Sequence, residues 1–534
     1  MQTPTLATAF AALPPEGAVL GLGRPGAGTT CTLKDQHVLI LGLGASGLAM
    51  ARWCARCGAR LTVADTRAAP PQLAALLRDL PEARFVSGAL SAALLEGAAV
   101  QAVFKSPGLS PAEVASVAAV AKEMGLALAG ELDLFSQALG GLRRTRNYLP
   151  HVLAVTGTNG KTTVTALTGH LVKCAGKTVA VAGNIGPTLL DTLSAHLDAD
   201  TLPEVWVIEL SSFQLNGVTT FEPRSAAVLN LTQDHLDWHG SMQAYGAAKA
   251  AIFGQHGVPV LNRNDPAVMA LLLTPAPLKQ RRPRLRDYVT FGGDMPQRPG
   301  DFGLEQVDGL VWLVRALQAD AGLKKRSGSE EELHIQRLIP AAALRIRGRH
   351  NTVNALAALA LASAASCALG PMLYALREYR GEPHRLQSIG SCKGVEFFDD
   401  SKGTNVGATV AALCGLGAER KLVLILGGEG KGQDFSPLSE PIARYARAVL
   451  LIGRDAPQIR SALLTTGVTL IDATSMALAV LQANAIAHPG DAVLLSPACA
   501  SFDMFDNYEH RSRAFVAAVR DLASAAGLEL ETAL

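Results

Sequence analysis

The run Gly157-Thr158-Asn159-Gly160-Lys161-Thr162-Thr163 has the residue types and spacing of a loop that binds nucleotide phosphates. An apolar stretch precedes it and an Ala/Leu-rich segment follows, so we expect the order strand, loop, helix. Backbone N–H groups at the helix start can cradle phosphates, Lys161 can bridge the β- and γ-oxygens, and Thr162 can ligate Mg²⁺. Val155 stands where the common Walker pattern has glycine, so the loop departs from that of ordinary NTPases. A plain strand-to-helix turn is the alternative interpretation.

Acidic and imidazole side chains follow two later apolar runs, where they would complete a metal site. Glu209 lies within residues 205–210, a predicted strand in which it is the only charged residue among apolar ones. Because a buried carboxylate needs a cation, we expect Mg²⁺ there. His235 is a candidate second ligand, although a lone histidine is more often structural. Lys249, from the residues alone, is expected to be an exposed helix lysine.

A glycine turn near the N-terminus suggests a second site for a diphosphate. Residues 41–47 (Leu-Gly-Leu-Gly-Ala-Ser-Gly) lie between a strand and an Ala-rich helix, and Asp65 ends the next strand. In dinucleotide folds such glycines let the diphosphate approach a helix N-terminus, and the acid reaches a ribose hydroxyl. The pattern alone permits an NAD-dependent oxidoreductase or a turn that only packs helix on strand. Since a dehydrogenase would leave the downstream motifs unexplained, we favour another diphosphate ligand.

Short apolar runs alternate with Ala-rich stretches of helical length, which predicts an α/β protein with mostly parallel sheets. The predicted strands are 37–41, 60–64, 102–105, 151–156, 205–210, 226–229, 421–426, 448–452 and 491–495. In open α/β sheets ligands collect at the carboxyl ends of strands, and several of these runs end in glycine or serine loops. The candidate residues are therefore expected along such edges.

The length of 534 residues exceeds what one core usually organises and predicts three domains. We expect a tail over residues 1–35, a Rossmann-like domain over 36–147, a P-loop ATPase-like domain over 148–380 and a Rossmann-like domain over 381–534. Residues 274–345 begin with a Pro/Arg-rich stretch and continue irregularly, so they are expected to form an insertion.

Composition narrows the class of partner. The net charge of +2 gives no reason to expect nucleic acid or an anionic membrane. Residues 1–23 lack Lys and Arg and are broken by Pro14 and Pro15, unlike a signal peptide, and the most apolar helical stretch, 355–369, is too short to cross a bilayer. We therefore expect a cytoplasmic protein with no membrane insertion. The lone pair Cys54 and Cys57 is expected to be reduced core thiols.

Residues 157–163, 209–215 and 234–249 together resemble the central domain of the Mur ligases, which are similar to folylpolyglutamate synthases in mechanism and architecture. The resemblance continues through Gly-Arg-His-Asn at 348–351, Pro-His-Arg at 383–385, Asp-Asp-Ser-Lys-Gly-Thr-Asn at 399–405, Leu-Gly-Gly at 426–428 and residues 495–503. It extends from about residue 36 to the end of the chain.

The resemblance implies a role for each matching residue. The UDP-linked substrate would contact Gly44, Ala45, Ser46, Gly47, Asp65, Thr66, Arg67, Ser106, Pro107, Gly108 and Asn184. ATP would contact the loop from Gly157 to Thr163 and also Asn351, Asn354, Arg385 and Asp400. Two Mg²⁺ ions would be held by Thr162, Glu209, His235 and Lys249, the last of which is carbamylated in the family. The amino acid would contact Lys402, Thr404, Lys431, Ser501 and Tyr508.

The implied activity is an ATP-dependent ligase that adds D-glutamate to UDP-N-acetylmuramoyl-L-alanine through an acyl phosphate. Such an enzyme makes peptidoglycan precursors for cell wall biogenesis, cell shape and cell division, acting as a monomer on small molecules. Residues 41–47, 209–215 and 496–505 favour D-glutamate, whereas 234–242 resemble the diaminopimelate- or lysine-adding ligase equally well. The Asp-Asn-Pro-Arg selector of that ligase does not occur in the sequence. An oxidoreductase or a nucleotide-binding module without catalysis explains fewer of these motifs.

Overall fold

The computed structural model describes residues 33–97, 99–273, 287–318, 333–528 and 530. Within them, three sheets follow one another along the chain, each flanked by helices, and the expected α/β class is confirmed. The strands are β1 (His37–Leu41), β2 (Arg60–Asp65), β3 (Arg84–Ser87), β4 (Val100–Lys105), β5 (Leu128–Ala129), β6 (His151–Thr156), β7 (Val179–Gly183), β8 (Val205–Glu209), β9 (Ser225–Val228), β10 (Val258–Asn262), β11 (Val289–Phe291), β12 (Phe302–Val307), β13 (Leu310–Gln318), β14 (Leu333–Pro340), β15 (Gln387–Cys392), β16 (Val395–Asp399), β17 (Leu422–Gly427), β18 (Ala446–Ile452), β19 (Thr469–Asp472) and β20 (Ala492–Leu495).

The helices separate most of these strands and cover the sheets. They are α1 (Ala45–Arg56), α2 (Leu73–Asp79), α3 (Ala115–Glu123), α4 (Glu131–Arg146), α5 (Lys161–Cys174), α6 (Leu189–Asp198), α7 (Ser212–Leu215), α8 (Leu236–His239), α9 (Met242–Ala250), α10 (Pro266–Ala270), α11 (Arg349–Ala364), α12 (Leu369–Glu378), α13 (Val406–Gly417), α14 (Ser439–Tyr445), α15 (Ala456–Leu463), α16 (Met476–Ile486) and α17 (Tyr508–Ala525).

The first sheet is parallel, with the order β3-β2-β1-β4-β5. Its central strands are apolar and buried on both sides, as parallel strands covered by helices must be. The glycine turn after β1 leads directly into α1, so the backbone enters the helix within three residues of the strand. The turn after β4 lies beside it, because Ser106 N donates to Leu41 O at 2.8 Å.

The second sheet has the order β14-β13-β12-β11-β10-β9-β6-β8-β7. It is parallel from β12 to β7, and β12, β13 and β14 form an antiparallel extension at one edge. This extension lies where the sequence suggested an irregular insertion, so the described part of that region is more regular than expected. Residues 274–286 and 319–332 of the expected insertion lie outside the described residues.

The third sheet has the order β15-β16-β20-β17-β18-β19 and is parallel except for the edge strand β15. One buried apolar cluster lies on each of its faces. The first two sheets share a single cluster, in which the edge of the Phe135 ring packs on Trp206 with ring centroids 5.0 Å apart. The domain boundaries that the sequence suggested stay a prediction.

None of the described helices combines the length and the apolar character needed to span a bilayer.

The two cysteines of the Cys-x-x-Cys segment differ from each other. Cys54 is a buried free thiol, whereas Cys57 is disulfide-bonded, so the expectation of reduced thiols is wrong for Cys57.

The close packing of Gly47 against Gly42 O, in the turn after β1, can be tested by adding a side chain at Gly47. A Cβ atom on Gly47 would lie 2.0 Å from Gly42 O, so Gly47→Ala must displace the start of α1. We expect a loss of about 1–3 kcal/mol in the free energy of unfolding, as in other overpacked sites, measured by denaturant titration. The matched control is Gly370→Ala, also within a helix, where no atom lies within 4 Å of the added Cβ. Equal stability of the two variants would contradict this account of the turn.

Candidate active site

The loop after β6 has the geometry that phosphate binding requires. Gly157 and Gly160 adopt φ values of 155° and 83°, which only glycine adopts readily. A Cβ at Gly160 would lie 2.8 Å from Asn354 Oδ1, so the loop is also pressed against α11. Lys161 Nζ donates to the carbonyls of Gly157 and Thr158 at 2.9 and 2.8 Å. Burial lowers the pKa of Lys161, so its ammonium needs oxygen partners and phosphate oxygens would serve.

Glu209 has one carboxylate oxygen in use and one without a partner. Glu209 is 1% exposed and is the last residue of β8, which pairs with β6. Asn184 Nδ2 donates to Oε1 at 2.8 Å. Asn184, the residue expected to contact the muramoyl substrate, therefore lies next to Glu209, an expected metal ligand. Oε2 is buried and has no hydrogen-bond partner. A buried oxygen of this kind fits a cation, so Glu209 suits the Mg²⁺ site expected next to the loop.

The other metal candidates are placed around the same loop. Thr162 Oγ1 accepts a hydrogen bond from Arg385, and Lys249 Nζ donates to Gly157 O at 2.9 Å. Lys249 is 1% exposed, so the expectation of an exposed helix lysine is wrong. His235 adopts φ 53° and packs on the Phe213 ring at 4.7 Å. Within the described ranges, no three His, Cys, Asp or Glu side chains are close enough to form a metal site by themselves.

The third sheet reaches the phosphate loop through two side chains. Arg385 Nη2 donates to Thr162 Oγ1 at 2.8 Å. Asn405 exchanges amide hydrogen bonds with Asn159 at 3.3 and 3.1 Å, and its Nδ2 also donates to Asp234 at 3.4 Å. The predicted nucleotide contacts are thus drawn from two sheets and meet on one loop.

The remaining ATP candidates lie close to this contact. Asn354 Nδ2 donates to Asn351 Oδ1 at 3.1 Å within the first two turns of α11, which packs on the loop. Asp400 follows β16, and Ser496 Oγ donates to its Oδ2 at 2.7 Å. Burial raises the pKa of Asp400 to about 7, so its ionised form gains from an added cation or donor.

The amino-acid candidates fall into two groups. Lys402 Nζ lies 5.4 Å from the centroid of the Tyr508 ring, which brings these two together as cation and aromatic face. Lys431 instead lies 5.9 Å from the ring of Phe502, a residue that the sequence did not single out. Thr404 N donates to Lys402 O at 3.0 Å, and Ser501 is buried at the turn before Tyr508.

The UDP candidates lie together at the carboxyl edge of the first sheet. Gly44 precedes the first residue of α1, so the N–H groups at the start of that helix, Ala45, Ser46 and Gly47, face this edge. Asp65 accepts from Leu43 N at 2.7 Å and from the Arg67 guanidinium at 2.8 Å. The hydrogen bond from Arg67 lowers the pKa of Asp65 to about 2. Asp65 therefore fixes the turn and Arg67, while Thr66 and the Ser106-Pro107-Gly108 turn lie alongside.

Several residues of the site escaped the sequence analysis. Asn230 stabilises the phosphate loop, since its Oδ1 accepts a hydrogen bond from Asn159 N at 2.8 Å. Tyr245 places its hydroxyl 3.1 Å from Thr158 Oγ1, and its ring centroid lies 4.6 Å from Lys249 Nζ. His239 stacks on Phe213 and lies 2.9 Å from Ser212 Oγ. Burial lowers its pKa to about 4, so this imidazole is neutral at pH 7. The only sequence signal was their position in the motifs around Glu209 and His235.

Family models match along most of the chain. The Mur ligase middle domain matches residues 155–362, the Mur ligase glutamate ligase domain matches 384–499 and the MurD-like N-terminal domain matches 36–128. Solved structures of MurC and of MurF with ADP, both from Thermotoga maritima, superpose with TM-scores of 0.50 and 0.54. MurC is 20% identical, covering 91% of this chain and 100% of its own; MurF is 15% identical, covering 93% and 97%. At this identity the likeness concerns the fold.

Similar curated proteins narrow the class further. A UDP-N-acetylmuramoylalanine--D-glutamate ligase from Albidiferax ferrireducens is 72% identical over 501 residues, covering 94% of this chain and 99% of the relative. Proteins with the same name from Polaromonas sp. and Burkholderia multivorans are 57% and 56% identical, covering 93% and 91% of this chain and 100% and 97% of their own. The chain therefore belongs to the Mur ligase family. Within it, these relatives are ligases that act with D-glutamate, as their name states.

Asn405 offers a test of the contact between the third sheet and the phosphate loop. Asn405→Ala removes both the amide contacts to Asn159 and the cap that accepts from Ala408 N. We expect a stability loss of about 1 kcal/mol from the cap. We also expect affinity for ADP to fall about fivefold, because the lost amide contacts are each worth about 1 kcal/mol. Thermal unfolding and calorimetric titration measure the two effects.

Ser475→Ala is the matched control, since Ser475 caps α16 by accepting from Leu478 N in the same part of the chain. It should lose similar stability and keep full affinity for ADP. If Asn405→Ala also kept full affinity, the amide contact would have no part in nucleotide binding.

Proposed function

We propose that the chain joins D-glutamate to UDP-N-acetylmuramoyl-L-alanine, with ATP converted to ADP and phosphate. Mur ligases depend on ATP, and the chain carries the loop and lysine that such use requires. The relatives at 54–72% identity share a name that specifies D-glutamate, which supports this acceptor over diaminopimelate or lysine. An oxidoreductase finds no comparable support.

The substrate is proposed to extend from the first sheet toward the second. The diphosphate of its UDP group would be held by N–H groups at the start of α1 and the uridine by the segment from Asp65 to Arg67. Asn184, on the second sheet and hydrogen-bonded to Glu209, would contact the muramoyl part. This arrangement would bring the alanyl carboxylate to the phosphate loop.

The first chemical step is attack of that carboxylate on the γ-phosphorus of ATP. One carboxylate oxygen forms the new P–O bond, the bond to the β-phosphate oxygen breaks, and the products are an acyl phosphate and ADP. Phosphoryl transfer of this kind depends on positioning and charge stabilisation. Lys161 and Arg385, both hydrogen-bonded to the loop, would supply positive charge to the transferring group.

A divalent metal fits beside this loop because Glu209 Oε2 is buried without a partner. Thr162 and Glu209 would hold one Mg²⁺ ion, and His235 with Lys249 a second. When bound, such ions neutralise phosphate charge and polarise the phosphoryl oxygens.

In the second step the amine of D-glutamate attacks the acyl carbon. A tetrahedral adduct forms, the C–O bond to phosphate breaks, and the amine loses a proton to give the amide. Lys402 and Lys431, each next to an aromatic ring, would hold the two carboxylates of the amino acid. Thr404, Ser501 and Tyr508 would add hydroxyl donors.

The observation that carries the proposal is the closeness of the amino-acid and phosphate sites. Lys402 N donates to His384 O at 3.2 Å, and the residue after His384, Arg385, donates to Thr162 Oγ1 at 2.8 Å. Lys402 and Arg385 belong to the third sheet, whereas Thr162 and its neighbour Lys161 belong to the second. An amine held near Lys402 is thus close to an acyl phosphate held near Lys161.

Phosphate release tests this function directly. With ATP, Mg²⁺ and UDP-N-acetylmuramoyl-L-alanine, we expect stimulation by D-glutamate and none by diaminopimelate, L-lysine or L-alanine. Lys161→Ala should lower the rate at least about a hundredfold, because one charge-stabilising donor is commonly worth that much. Lys173→Ala, at the exposed end of the same helix, is the matched control and should keep the rate. Stimulation by another acceptor would move the chain to a sister activity.

Carbamylation of Lys249 is a further part of the proposal. Burial lowers the pKa of Lys249 well below its ordinary value, so its amine is more often neutral and able to add carbon dioxide. A carbamate would turn this cation into an anionic metal ligand beside the loop. We expect carbon-13 bicarbonate to give a carbamate resonance in the wild type that Lys249→Ala lacks. A resonance of equal intensity in the variant would assign it to another amine.

The cell location and oligomeric state follow from the same proposal. An enzyme that uses ATP and nucleotide-linked precursors is proposed to act in the cytoplasm as a monomer. All its proposed partners are small molecules that support peptidoglycan synthesis, and thereby cell shape and division.

A further inference from the structure

A buried carboxylate that none of the proposed steps uses lies directly behind the third-sheet part of the site. Asp399 ends β16 and has 0% exposure. Its Oδ1 accepts from Ser401 N at 2.9 Å and also from the Ser401 hydroxyl. Its Oδ2 accepts from His384 Nδ1 at 2.9 Å and from Ser512 Oγ at 2.5 Å. Four donors to one buried carboxylate make a rigid junction.

The donors belong to segments that carry proposed substrate contacts. His384 precedes Arg385, whose guanidinium lies on the phosphate loop. The His384 ring meets the edge of the Tyr508 ring with centroids 5.8 Å apart. Ser512 lies one helical turn after Tyr508 in α17, and Ser401 precedes Lys402. Asp399 thus joins the segments of Arg385, Lys402 and Tyr508.

Ser512 places a buried hydroxyl group in α17, and its bond to Asp399 accounts for a polar residue at this position. It is 2% exposed within the first turns of α17, where a small apolar side chain would fill the same space. Its hydroxyl is directed at Asp399, and no other hydrogen bond from it is recorded among the described residues. Removing it would leave the carboxylate with one donor fewer and free the start of α17 to shift.

We infer that Asp399 and Ser512 are positioning residues that set the placement of Arg385 on the phosphate loop and of Tyr508 against Lys402. This inference rests on the proposed ligase function and deepens it. Neither residue touches a reacting atom. They act through His384 and through the first turn of α17, so their loss should weaken ATP and D-glutamate binding and spare the UDP-linked substrate.

The experiment compares the KM values for all three substrates in the phosphate-release assay. Asp399→Asn should raise KM for ATP and for D-glutamate about tenfold, since hydrogen bonds to a charged group are worth about that factor. Ser512→Ala should raise both about threefold, as one of four donors is lost. KM for UDP-N-acetylmuramoyl-L-alanine should stay within about twofold. In the double variant, Ser512→Ala should add less than about twofold, because its partner is already altered.

Two controls separate positioning from general loss of stability. Ser439→Ala removes a hydroxyl that donates to Ala462 O at 2.8 Å in the same part of the chain. Asp491→Asn removes a carboxylate bound by Arg447 at the other end of β20. Both should lower the thermal midpoint and leave every KM unchanged. If Ser512→Ala and Asp399→Asn behaved like these controls, or raised all three KM values alike, the inference would be wrong.

The outcomes also distinguish this inference from the proposed function. A wild-type chain that releases no phosphate with any acceptor overturns the function. Calorimetric affinity for ADP then tests the positioning of Arg385: weaker binding by Ser512→Ala than by Ser439→Ala supports it, and equal binding overturns it. Ser512→Ala also decides the matter if Asp399→Asn does not fold.

Discussion

The half-buried ammonium of Lys161 is the constraint on which the site depends. Its hydrogen bonds go to Gly157 O and Thr158 O, and Lys249 donates to Gly157 O as well. Two cations, the half-buried Lys161 and the buried Lys249, therefore share one loop whose N–H groups and helix start are also positive. Glu209 and Asp234 are the acids whose charges oppose the fall in both lysine pKa values. A polyphosphate with its metal ions is the ligand that satisfies this concentration of charge.

The arrangement of the sheets follows from the need to bring several ligands to this loop. Glu209 ends a strand paired with β6, so strand pairing alone fixes it next to the loop. Arg385 and Asn405 must come from another sheet and meet the loop through a few polar hydrogen bonds. Small polar contacts between folded units are compatible with relative movement. A ligase that must admit ATP and exclude water during transfer benefits from such a contact.

Much of this fold could be predicted where local sequence decides the structure. The strands at 37–41 and 151–156 were predicted with the bounds of β1 and β6, because buried parallel strands are continuous apolar runs that end in glycine loops. The extension β12 to β14 was missed, since it lies at an edge of the sheet and its last strand, β14, buries only Ile339. The burial of Lys249 was also missed, because the residues that cover it, such as Tyr245, are ordinary helix residues by sequence.

In the candidate site, likewise, contiguous motifs could be predicted from sequence, and contacts between distant segments could not. The phosphate loop is contiguous, so its spacing alone predicted the positions that the structure brings together. The Asp399 junction joins residues that are 15 and 113 positions apart, and no local pattern connects them. Lys431 was grouped with Tyr508 by resemblance, and the structure places it against Phe502. Contacts that depend on how distant segments pack cannot be inferred from the spacing of their residues.

The backbone of Ser401 shows why the third-sheet part of the site is rigid. Its N–H is held by Asp399, and its carbonyl accepts from Arg511 Nη2 at 2.8 Å. Arg511 is fully buried and also donates to Cys499 O at 3.0 Å, so the guanidinium bonds to carbonyls while the carboxylate bonds to Ser401, Ser512 and His384. The two opposite charges compensate each other across one residue without a direct ion pair. The two peptide units that flank the Ser401 Cα are thus each held by one hydrogen bond, and Lys402, the next residue, takes its direction from this fixed backbone.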